Sequence, residues 1–105
     1  MPLTPAHKAL NATQVIAQLA KLDNWKLYGD GPDLAIEKTF HLRGFLETMA
    51  FVNADAYLAH HRNHHPELVV HYNRCIVRWC THDVQGISMV DFECAAQVDA
   101  LIGVE

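Results

Sequence analysis

The sequence has no run of lysine or arginine, no long apolar stretch and no CxxC pair, and each absence closes off a class of function. Eight basic against twelve acidic residues leave a formal net charge of −4, which argues against nucleic acid binding through a basic face. The longest uncharged stretch, Ala9 to Ala20, is broken by Asn11, Thr13, Gln14 and Gln18, so no membrane span is expected. The Met1–Pro5 start lacks an apolar leader core. Three cysteines, Cys75, Cys80 and Cys94, cannot all pair within one chain, and they are expected as buried reduced thiols in a cytoplasmic protein. Only 19% of the residues are charged and half are apolar, the balance of one soluble globular domain over residues 1–105. Histidine is what the chain has in excess. There are eight, five of them between His60 and His71, and full protonation would swing the formal charge from −4 to +4.

Asn11-Ala12-Thr13-Gln14 has the form of a helix start, with Asn11 as cap, Gln14 reaching back and Leu10 stapling to Val15. Val15, Ile16 and Leu19 then make an apolar stripe before Asn24. Trp25–Tyr28 and Leu34–Phe40 alternate as strands around the turn-rich Gly29–Asp33, which predicts a hairpin. Good helix formers run from Gly44 to Arg62 without a proline. Phe45, Met49, Val52, Ala56 and Ala59 form one stripe, Leu46, Ala50 and Tyr57 a second, and Phe51 with Leu58 a third. A helix apolar on nearly every side needs more than one cover. In a domain this small the second cover is another copy of the chain, so a homodimer or homotetramer is expected.

Pro66 forces the helix to end by Asn63 or His64. Leu68–Tyr72 and Cys75–Thr81 read as strands about an Asn73-Arg74 turn, with Cys75, Val77 and Trp79 on one face and Ile76, Arg78, Cys80 and His82 on the other. Ser88 caps a last helix, with Asp91 as its capping-box partner and Ile87 stapling to Phe92. Cys94, Ala95, Val98, Leu101 and Ile102 form its buried stripe, and Gly103 is its stop. The order α-β-β-α-β-β-α with short connections predicts an α+β fold, a four-stranded antiparallel sheet covered by helices.

The stretch His60-His61-Arg62-Asn63-His64-His65-Pro66 demands a chemical explanation, and two compete. His60/His64 and His61/His65 have the i,i+4 spacing that sets two imidazoles on one helix face for a metal. Pro66 disrupts that geometry, however, and neither HExxH nor a cysteine pair is present. The other reading is proton transfer, for which imidazole suits neutral pH. Two imidazoles at a helix end in unlike environments can hold opposite protonation states, and His82 beside the Asp83–Gly86 loop is the third candidate.

His64-His65-Pro66-Glu67, Tyr72-Asn73, Thr81-His82, Gly86 and Asp91 together resemble the signature of pterin-4a-carbinolamine dehydratases, and the resemblance reaches back through Phe45–Phe51 to Leu22 and Trp25. It implies a cytoplasmic hydro-lyase that removes water from 4a-hydroxytetrahydropterin to give quinonoid dihydropterin. Such an enzyme recycles the tetrahydrobiopterin-type cofactor of aromatic amino acid hydroxylases, and itself needs neither metal nor cofactor. Carried over by motif, His64, His65 and His82 are its catalytic residues, and Pro66, Thr81 and Asp83 line the pterin beside them. His64 and His82 are assigned to proton transfer, and His65 mainly to holding the substrate. His60 stands where many relatives carry a carboxylate that would orient an imidazole, and Leu68 where some carry an aromatic residue. Asp91 is read as a capping residue, and Trp25 and Trp79 as core; His7, His41 and His71 receive no role. Animal relatives also bind a homeodomain transcription factor through the long helix, so a protein-interaction module, or a pterin binder with little turnover, is the alternative.

Overall fold

Asn11 sits in extended backbone (φ −80°, ψ 171°), and its side chain and that of Gln14 each accept the other's backbone N–H at 2.9 Å. That reciprocal capping box starts helix α1, Ala12–Leu19, in the computed structural model, which describes residues 5–102. Strand β1, Lys26–Tyr28, and strand β2, Ala35–His41, follow, then helix α2, Phe45–Arg62, strands β3, Glu67–Val70, and β4, Arg74–Trp79, and helix α3, Met89–Ile102. The strands form one antiparallel sheet in the order β1-β2-β4-β3. This is the α+β architecture that the hydrophobic pattern predicts. No described helix is long and apolar enough to cross a membrane.

The register assigns the two faces of the sheet. Ile36 pairs with Trp79, Lys38 with Val77 and Phe40 with Cys75, so these six side chains share the face that helices α2 and α3 cover. Cys75, Val77 and Trp79 are completely buried there. Lys38 is tolerated because its Nζ donates to Asp99 Oδ1 of α3 at 2.7 Å, and Trp25 Nε1 donates to the other oxygen at 3.0 Å. On the opposite face Lys26 pairs with Glu37, Glu37 with Arg78 and Arg78 with Glu67, an alternating-charge row that crosses all four strands.

Several expectations are corrected. Ile16 is 64% exposed, and Leu101, expected in the buried stripe of α3, is 42% exposed. On α2 the core-facing residues are Thr48, Phe51, Asp55 and Ala59, with Val52 and Leu58 packed beside them. Phe45, from the first expected stripe, faces outward. Two polar residues on the inward face explain the misreading. Thr48 is accommodated because its Oγ1 donates to the Gly44 and Tyr72 carbonyls, whereas neither oxygen of Asp55 has a partner among the described residues. Strand β3 stops at Val70 and β4 at Trp79, so Tyr72 and Thr81 lie beyond them. Cys75 and Cys94 are buried, but Cys80 is only half-buried. The expected stop at Gly103 lies outside the described residues.

Candidate active site

Helix α2 ends because Asn63 adopts the left-handed conformation (φ 50°, ψ 41°), with the His64 N–H returning to the Ala59 carbonyl at 3.1 Å. This reversal removes the i,i+4 geometry from both histidine pairs. Among the described residues no group of three or more His, Cys, Asp or Glu side chains converges as a metal site. Instead the turn lays the His64 ring flat against Trp79, with centroids 5.5 Å apart and planes within 14°. His64 Nε2 meets Asp91 Oδ1 at 2.6 Å, and Nδ1 makes no hydrogen bond among the described residues.

Asp91 is completely buried and ties three elements together. Its Oδ2 accepts the Thr81 hydroxyl at 2.7 Å and the Ser88 backbone N–H at 2.9 Å. The Ser88 bond is the reach-back half of the expected capping box. The Ser88 hydroxyl itself pairs with Thr81 Oγ1 at 2.7 Å. A residue expected chiefly to cap α3 therefore also holds an imidazole from the end of α2. The position where many relatives are expected to carry an orienting carboxylate is here His60. His60 is exposed, and its ring packs near His61 at 6.1 Å.

The loop after β4 is closed by the Thr81–Gly86 bridge and supplies His82 from the short turn His82–Val84, not from the strand itself. His82 is exposed, and Cys80 Sγ lies 3.7 Å from its Nε2 and 3.9 Å from its Nδ1. Burial, then the Asp91, Asp33 and Glu67 carboxylates, push the Cys80 thiol up, so it stays protonated at neutral pH.

His64, His65, Thr81, His82 and Asp83 converge on one cavity of about 180 Å³. Asn63, Cys80 and His7 complete its wall, three residues that sequence reasoning left out. The alternation of Cys80 with His82 was a usable signal for the thiol; nothing in the sequence pointed to His7. Pro66 lines a second cavity of about 440 Å³ that shares His65, Cys80 and His82 with the first. His60 lines a third, on the Ala56–Leu68 side of His64 and His65.

Residues 8–101 match the family model described as Pterin 4 alpha carbinolamine dehydratase. A protein of Paracidovorax citrulli named "Putative pterin-4-alpha-carbinolamine dehydratase" is 53% identical over 97 residues, covering 92% of this chain and 84% of its own. One of the same name from Bdellovibrio bacteriovorus is 46% identical over 103 residues, covering 94% and 82%. The crystal structure of a transcriptional coactivator/pterin dehydratase from Brucella melitensis superposes with a TM-score of 0.83 at 28% identity, covering 90% of this chain and 98% of that one. A pterin dehydratase-like RuBisCO assembly factor of the alpha-carboxysome shares the fold, with a TM-score of 0.65 at 23% identity over 78% of this chain and 93% of its own. Matched along most of its length, this chain belongs to the pterin-4-alpha-carbinolamine dehydratase family.

Proposed function

We propose that the protein is a 4a-hydroxytetrahydropterin dehydratase working by histidine acid/base catalysis in the cytoplasm, recycling a tetrahydrobiopterin-type cofactor. The reaction asks little of a protein beyond placed protons. The C4a hydroxyl leaves as water, taking the C–O electron pair, once an acid protonates it. The adjacent ring N–H gives its proton to a base, and the N–H electrons form the C=N bond of the quinonoid dihydropterin. The observation that carries this reading is the pairing of unlike imidazoles on one cavity: His64 fixed between Trp79 and a buried carboxylate, His82 exposed against a neutral thiol. His64 and His82 exchange the two protons. His65 holds the ring, with Pro66, Thr81 and Asp83 beside it, and His60 acts only at the periphery. The test is dehydration of enzymatically generated 4a-hydroxytetrahydropterin followed by ultraviolet absorbance. Acceleration over the unaided reaction supports the proposal, and a trace identical to buffer contradicts it.

The same reading includes self-association. Leu46 is 87% exposed and Tyr57 72%, both on α2, an apolar face that a second copy would cover. An interaction function is the second reading. It is favoured by that same face and by the coactivator description of the Brucella melitensis neighbour, and a partner helix would have to compete with self-association there.

A further inference from the structure

Residues Pro5–His7 form a short 3₁₀ turn, closed by the Lys8 N–H donating to the Pro5 carbonyl at 3.2 Å. The turn packs on helix α3, and the chain after it forms a strap over the end of the Thr81–Gly86 loop. Ala6 and Leu10 anchor the strap by packing against the core, and the Leu10 N–H donates to the Ile87 carbonyl at 2.8 Å. Between them Ala9 lies so close to Gly86 that a methyl group added there would touch it. His7 follows the first anchor and takes another direction. Its half-buried side chain stands in the wall of the inner cavity with His64, His65 and His82. The strap thus carries a fourth imidazole from the start of the chain to a cavity whose other three come from the end of α2 and the loop after β4.

We propose that His7 is a substrate-contacting residue, which hydrogen-bonds the ring of the bound pterin and contributes affinity rather than proton transfer. The inference rests on the dehydratase reading above. A pterin ring carries amino and ring N–H donors and carbonyl and ring-nitrogen acceptors around its edge, and a neutral imidazole, with one N–H and one lone pair, can meet either kind. His64 and His82 already account for both protons of the reaction, so a further imidazole in the same wall has binding to offer. Such a contact is made alike with the ground state and the transition state, and its loss raises KM with kcat little changed. The two apolar anchors and the Leu10–Ile87 bond hold the strap that carries the ring, although His7 lies outside every α-helix and strand.

The test uses the full chain, with kinetics on the 6-methyl carbinolamine and calorimetry with 6-methyl dihydropterin as a non-reacting probe. His7→Ala should raise KM and weaken probe binding about fivefold to tenfold, the worth of one hydrogen bond to an uncharged ligand, with kcat within about twofold. His7→Gln, which keeps a donor and an acceptor, should recover most of that affinity. Lys8→Ala, exposed on the same strap, should leave KM and probe affinity unchanged. Equal probe affinity in the unmutated protein and a folded His7→Ala variant overturns the proposal, because a residue that only braces the strap would move Tm and not KM. Should His7→Ala fail to fold, the His7 ring resonances of the unmutated protein decide by NMR: they should shift when the probe is added, and unmoved resonances overturn the contact. A protein that binds no pterin overturns the contact and the dehydratase reading together. Binding that weakens as expected in His7→Ala, with no carbinolamine dehydrated by the unmutated protein, leaves His7 in place and removes the dehydratase reading.

Discussion

His64 and Asp91, at the end of one helix and the start of another, meet at 2.6 Å with the carboxylate completely buried. The ring cannot turn without breaking its bond to a carboxylate whose other oxygen is held by Thr81, after β4, and by Ser88, before α3. The contact engages Nε2 and leaves Nδ1 without a hydrogen bond among the described residues.

Asp91→Asn should lower kcat/KM at least about tenfold while KM changes less, because the buried carboxylate that holds the His64 ring is lost. Thr81→Val, which removes a bond to Asp91 but not the carboxylate, should show a smaller loss of the same kind. Steady-state kinetics on proteins with unchanged circular dichroism checks both. A folded Asp91→Asn enzyme with unaltered kinetics would reduce the residue to a helix cap.

Asp55 gives stability a pH dependence of opposite sign to that of a salt-bridged carboxylate. It is completely buried with neither oxygen hydrogen-bonded among the described residues, and burial pushes its carboxyl from 3.8 up to about 7. The folded state therefore holds a proton that the unfolded state releases above pH ~4. Stability should fall as pH rises from about 4 to 7 and stay reduced above that, by up to about 4 kcal/mol. Asp55→Asn should accordingly raise Tm by more than twice as much at pH 8 as at pH 5. Calorimetric scans at the two pH values decide it; an equal shift at both would mean that Asp55 is already ionised in the fold or paired through water.

Leu46→Lys should dissociate the assembly without unfolding the protomer, since the side chain is 87% exposed in the single chain and touches no core. A lysine closed into an apolar interface without a partner costs several kcal/mol. Light scattering at micromolar concentration should show a dimer or tetramer for the unmutated protein and a smaller species for the variant. A monomer before mutation contradicts the proposal.

Local signals were legible. The Asn11/Gln14 box and the reach of Asp91 to Ser88 depend on residues three apart, and both occur. The faces of β4 followed from strict alternation, and Pro66 located the end of α2. The inward face of α2 was not legible, because Thr48 and Asp55 interrupt the core stripe while Leu46 and Tyr57 lend apolar character to the outside. At the site, the histidines were visible as an excess at a helix end, but the partner of His64 was not. A contact between residues 64 and 91 depends on how two helices dock, and the capping role of Asp91 already accounted for its presence. The charge row on the open sheet face was likewise hidden, since Lys26, Glu37, Glu67 and Arg78 become neighbours only through register.

The central claim is that His64 and His82 act as one acid/base unit, and the most direct measurement is the acceleration over unaided dehydration for His64→Ala, His82→Ala and the double variant, with His71→Ala as a folded control. Each single change should lose about 10²–10⁴-fold, and the double change much less than the product of the two. His65→Ala should raise KM more than it lowers kcat, and His71→Ala should stay within a few fold of the unmutated protein. A fully active His82→Ala protein, or a well-folded but inactive His71→Ala one, would contradict the account.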